Sequence, residues 1–83
     1  MKIDVLLFAQ LKEAAGKERL SLELEEGTRV RELAERLMDG PDFYRLRGLP
    51  LLYAINENFV SQEDLLREGD TLALMTPVSG GAR

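Results

Sequence analysis

Chemistry in this chain has few side chains to draw on. Cysteine and histidine are both absent, which removes the thiol nucleophile, the usual general base near neutral pH and the commonest transition-metal ligands. Autonomous catalysis is therefore not expected. The feature that remains is main chain: the sequence runs to TPVSGGAR, with Gly80 and Gly81 adjacent, Pro77 and Val78 before them, and Ala82 and Arg83 after. Two neighbouring residues without Cβ atoms have two readings. They are slack at a frayed terminus, or they are a backbone thin enough to thread a narrow channel in another protein. Pro77 would stiffen the point of exit, and Pro77 to Gly81 would reach roughly 17 Å when extended.

Such a tail needs a platform, and the preceding residues describe one. In KIDVLLF, Ile3, Val5 and Leu7 alternate with Lys2, Asp4, Leu6 and Phe8, the period of a strand with one buried face. The odd positions face the core, which leaves Leu6 and Phe8 as apolar side chains on the outer face. AQLKEAAG predicts a short helical turn from about Gln10 to Ala15, ended by Gly16. RLSLELEEG alternates again, through Leu20, Leu22 and Leu24, and predicts a second strand antiparallel to the first and stopping at Gly27. Val30, Leu33, Ala34, Leu37 and Met38 then fall on one stripe of an amphipathic helix. Thr28 is its expected N-cap, with no capping box because Arg31 stands where Glu or Gln is wanted. Gly40-Pro41 ends it.

DFYRLRGLP reads as a helical turn or irregular crossover, with Phe43, Tyr44 and Leu46 as core candidates. LLYAIN is a strand, Phe59-Val60 a short one after a turn, and TLALMT the last, ended by Pro77. The order β, β, long α, β, short β, β favours a helix lying across one face of a mixed sheet, with the first and last strands parallel at its centre. The expected fold is α+β: a β-grasp (ubiquitin-like) domain of about five strands over residues 1–76, followed by a flexible tail over 77–83.

Composition narrows the partners. The 83 residues include no disulfide-forming pair, so a small core must supply the stability, and hydrophobic residues make up 45%. A formal charge of −4 and a pI near 4.8 argue against a phosphate-binding surface, and bases and aromatics do not cluster, so no nucleic acid is expected. Asp4 interrupts the opening apolar run and no cleavage site follows it; no stretch is long enough to span a bilayer. No membrane is expected, and the location is expected to be cytoplasmic. Arg29, Arg31 and Arg36 read as a solvated helix face paired with Glu32 and Glu35.

The stretches VLLFAQLKEAAG, AIN with VS, LREGD and PVSGG, taken together over nearly the whole chain, resemble the MoaD/ThiS sulfur-carrier family, on the side of the small subunit of molybdopterin synthase. The resemblance implies that Gly81 carries the chemistry and that Gly80 is its steric partner. An E1-like adenylating enzyme would activate the Gly81 carboxylate with Mg-ATP, and a sulfur donor would convert the acyl adenylate to a thiocarboxylate. The molybdopterin synthase large subunit would then take up the tail and use the sulfur for the molybdopterin dithiolene. No cofactor would be bound by the chain itself. Phe8, Phe59 and Met75, with Pro77 and Val78, fall where the family docks these partners. The chemistry is consistent with the residues present: a carboxylate is a poor electrophile until a leaving group is attached, and no cysteine is available to carry sulfur.

The chain departs from the family in continuing past the second glycine. Ala82 and Arg83 imply a trimming protease acting before activation. Other roles stay open at this stage: sulfur carriage for thiamine thiazole or for tRNA thiolation, a ubiquitin-like protein modifier, or a non-covalent β-grasp partner.

Overall fold

In the computed structural model, which describes residues 1–77, the chain forms β1 (Lys2–Leu7), α1 (Ala9–Ala15), β2 (Arg19–Glu23), α2 (Val30–Met38), one turn of 3₁₀ helix (Tyr44–Leu46), β3 (Leu52–Ile55), β4 (Asn58–Val60) and β5 (Thr71–Met75). The strands make one sheet in the order β2-β1-β5-β3-β4. β1 and β5 run parallel at its centre, and the other pairs are antiparallel. This is the expected β-grasp.

Alternation in the strands decides which face is covered. Ile3, Val5 and Leu7 of β1 and Leu72 and Leu74 of β5 are buried, and they meet Val30 and Leu33 of α2, Leu11 of α1, Phe43 and Leu66 in one cluster. Each Leu, Ile or Val withdrawn from water contributes roughly 1.5–3 kcal/mol before the entropy of ordering is subtracted. No buried side-chain polar atom lacks a hydrogen bond among the described residues, so little of that gain is lost to unpaired groups.

Several local details differ from the sequence expectation. The N-cap of α2 is Arg29, one residue later than Thr28. Thr28 Oγ1 instead donates to the Glu25 carbonyl at 2.7 Å, which holds the preceding turn. The shift brings Glu32 to the third helical position, where its carboxylate accepts the Arg29 N–H at 2.8 Å; half a capping box is thus present where none was expected. The arginines of this region also pair elsewhere. Arg29 Nη1 donates to the Glu63 carbonyl at 2.6 Å, and Arg31 lies 3.6 Å from the Glu63 carboxylate, so both tie α2 to the loop after β4. Of the crossover residues, Phe43 is buried, Leu46 half-buried and Tyr44 exposed. The tight 3₁₀ turn cannot aim neighbouring residues 43 and 44 at the same side.

Candidate functional site

The face of the sheet away from α2 is where function can be sought. The strand registers place Arg19 of β2, Leu6 of β1, Ala73 of β5, Ala54 of β3 and Phe59 of β4 side by side in a single row across all five strands. Two alanines in the middle of the row leave a dip between the larger Leu6 and Phe59. One pleat further along, Met75 sits opposite Leu52, with Phe8 at the adjoining end of β1. Leu6, Phe8, Ala54, Phe59, Ala73 and Met75 therefore line one groove. Phe59 is 74% exposed and Phe8 45%, a high exposure for aromatic side chains and one that costs free energy unless another surface covers them.

The other end of this face is polar and self-satisfied. Asp4 accepts Ser21 Oγ at 2.8 Å and Arg19 Nη1 at 3.0 Å. Asn56 Nδ2 donates to Asp70 at 3.0 Å while its own carbonyl oxygen accepts the Thr71 N–H at 3.0 Å. The groove is thus asymmetric. Because β5 runs from Thr71 to Met75, the chain leaves the sheet at the apolar end, and Pro77 there is exposed.

Of the residues marked out in the sequence, the structure brings Phe8, Phe59 and Met75 around this groove. Phe8 lies one position beyond β1, as the extended residue that precedes α1 (φ −124, ψ 152), because Ala9 turns the chain sharply with φ 52. Val78, Gly80, Gly81, Ala82 and Arg83 lie outside the described residues. Ala54 and Ala73 were not marked out; their place on the groove follows from cross-strand register, which only the assembled sheet reveals. Among the described residues no group of acidic side chains is arranged to hold a metal ion, and no helix is long and apolar enough to cross a membrane. On the other face, burial, assisted by the Glu35 carboxylate, raises the Tyr53 hydroxyl above its ordinary value.

Known proteins share both the sequence and this architecture. The ThiS family matches residues 5–81. The molybdopterin synthase sulfur carrier subunit of Haemophilus influenzae is 34% identical over 82 residues, spanning 95% of this chain and 99% of that protein. The sulfur carrier subunit from Arabidopsis thaliana is 32% identical over 82 residues, spanning 98% and 84%. Among solved structures, small archaeal modifier protein 1 from Methanosarcina acetivorans superposes with a TM-score of 0.75 at 30% identity, covering 96% of each chain. A chain of the complex between subunits 1 and 2 of the molybdopterin-converting factor from Helicobacter pylori superposes with a TM-score of 0.70 at 23% identity, covering 98% and 100%.

Proposed function

The chain belongs to the ThiS family, and on that premise we propose that it is the sulfur-carrier subunit of a molybdopterin synthase. The observation that carries the reading is the apolar groove at the end of the sheet from which the tail departs. A carrier whose reactive atom sits at the end of a tail must be gripped elsewhere, on a rigid surface, so that the tail alone enters the partner's active site. Phe8, Phe59 and Met75, with Pro77 at the exit, supply that grip. The exposed aromatics are of the type that anchors interfaces, and their cost in the free chain is offset when a partner covers them.

Chemistry then follows from what the chain lacks. Hydrolysis of the Gly81–Ala82 peptide bond by a protease removes Ala82, Arg83 and anything beyond them and frees a Gly81 carboxylate. An E1-like enzyme joins that carboxylate to AMP, with ATP as donor, Mg²⁺ as counter-ion and pyrophosphate as leaving group. A sulfur donor displaces AMP to give the Gly81 thiocarboxylate, with Gly80 keeping the approach unobstructed. The large synthase subunit, a partner of the kind that the complex of subunits 1 and 2 from Helicobacter pylori contains, receives the loaded tail and supplies the catalytic residues, since this chain has neither histidine nor cysteine. The family match ends at Gly81, which supports that residue as the acylated one.

Intact mass of the protein purified from its own source without reductants tests the reading. Molecules lacking Ala82-Arg83, a fraction of them with one oxygen replaced by sulfur, are expected. A population wholly untrimmed and free of added sulfur would sink it. A second reading, a protein modifier, is favoured by the likeness to small archaeal modifier protein 1; isopeptide-linked adducts of Gly81 with target lysines would decide for it.

A further inference from the structure

The two edges of the sheet differ in how they are protected. β2 carries Arg19 and Glu23 along its length, the kind of charge that discourages another strand from pairing. β4, Asn58–Val60, carries no charge and no proline. Its hydrogen-bonding pattern can be read from the register. Asn56 N–H donates to the Thr71 carbonyl at 2.9 Å, so residues 56, 54 and 52 direct their backbone groups to β5, and the intervening Tyr53 and Ile55 direct theirs to β4. Ala54 and Phe59 therefore form a pair that exchanges no backbone hydrogen bonds. The Phe59 N–H and C=O point away from the sheet and have no partner among the described residues. The next outward residue is already occupied: Ser61 N–H donates to Asp64 Oδ2 at 2.9 Å, and the Ser61 carbonyl accepts Asp64 N–H at 3.2 Å.

Beside this open position runs a second groove, lined by Leu49, Pro50, Leu52, Phe59, Val60 and Gln62 among others, with no charged side chain in its wall. In a chain with 31% charged residues, that is a deliberate neutrality. Leu49 and Leu52 are each 42% exposed. Phe59 lines both grooves, and Leu52 of the second groove pairs across the sheet with Met75 of the first. The apolar surface is therefore continuous from the sheet face around the β4 edge.

We propose that the partner which takes up the tail adds a short extended segment to the β4 edge, pairing with the Phe59 N–H and C=O and laying uncharged side chains along Leu49–Leu52. The inference rests on the carrier reading for the identity of that partner. An extended occupant fits because the free backbone groups are those of a strand edge, and strand addition draws its affinity from main-chain hydrogen bonds with side-chain pockets as the selective element. An uncharged occupant fits because any charge placed in this neutral groove would lose hydration without gaining a counter-ion.

The chain is short enough for total chemical synthesis, so the Asn58–Phe59 amide can be replaced by an ester that removes the Phe59 N–H donor, with some weakening of the Asn58 carbonyl as the acceptor of its bond to β3. Binding of the cognate large synthase subunit to both forms is measured by calorimetry, with thermal unfolding to show that the ester chain folds. The ester is expected to weaken binding roughly tenfold, the loss of one interfacial hydrogen bond. In the unmodified complex, hydrogen exchange at the Phe59 amide should slow by at least about tenfold relative to the free chain. Equal affinity of the two forms, or unchanged exchange at Phe59 in the complex, would overturn the strand addition while leaving the carrier reading intact. Failure of the unmodified chain to bind the large subunit at all would overturn both.

Discussion

Replacing Phe59 by alanine separates binding from folding more cleanly than any other change on the outer face. The side chain is 74% exposed in the free chain. An aromatic side chain presents roughly 200 Å², so about 150 Å² remains to be withdrawn from water when a partner covers it. At about 25 cal/mol per Å² this gives a ceiling near 4 kcal/mol. Alanine keeps part of that contact, and anchor residues measured by truncation cost about 2 kcal/mol or more. The expected loss is therefore about 2–4 kcal/mol, or roughly 30- to 700-fold in Kd. Folding should change by no more than about 1 kcal/mol, the scale of a strand-preference change at an exposed edge position. Calorimetric titration against the large subunit and against the E1-like enzyme, beside urea unfolding of the free variant, reads both quantities. Affinities within about threefold of the original for both partners, with the fold intact, would refute the reasoning that this groove is the grip.

Three further outcomes are expected. Leu74→Ala, at a position with no solvent exposure and flanked in the sheet by Leu7 and Tyr53, should cost about 2–5 kcal/mol in urea unfolding; a cost below 1 kcal/mol would mean that β5 is not the centre of the core. Glu57 occupies the left-handed region with φ 74 in the two-residue turn between β3 and β4, so Glu57→Gly should raise stability by about 0.5–1 kcal/mol, seen as a higher Tm, and a fall would show that the glutamate has a compensating role. The Tyr53 hydroxyl is raised above the ordinary 10.0, first by burial and then by Glu35. Above that ordinary value the unfolded chain releases the proton while the folded chain retains it, so stability falls as pH rises through the shifted range. Tyr53→Phe should remove that part of the alkaline slope, and an identical slope in both proteins would contradict it.

Periodicity made most of the fold legible. Ile3, Val5 and Leu7, and again Leu72 and Leu74, alternate so regularly that the buried face of the two central strands could be assigned before the sheet was assembled. The helix stripe from Val30 to Met38 was equally plain. Details governed by a single hydrogen bond were not legible. Thr28 has the side chain of an N-cap, yet its hydroxyl is taken by the Glu25 carbonyl, and no propensity scale encodes that competition. Tyr44 has the character of a core residue, but the 3₁₀ turn commits the inward position to Phe43. At the groove, alternation left Phe8 and Met75 as apolar side chains on the outer face, and Phe59 was marked out with them through the family resemblance. Ala54 and Ala73 shape the same surface by being small, and smallness carries no signal until their neighbours across the strands are known.

The parallel pairing of β1 with β5 has a consequence for how the protein is made. The first strand to be synthesised waits for the last before the middle of the sheet can close, and the stretch between them must be ordered or looped out meanwhile. A nascent chain that has not reached Met75 has not yet placed Leu72 and Leu74, two of the fully buried residues of the core. Pro77 follows closely behind the strand that completes the sheet, so the outer-face groove and the point where the chain leaves it form in the same late event. On the carrier reading proposed above, only a chain that has closed its sheet would offer both a surface to hold and an end to activate.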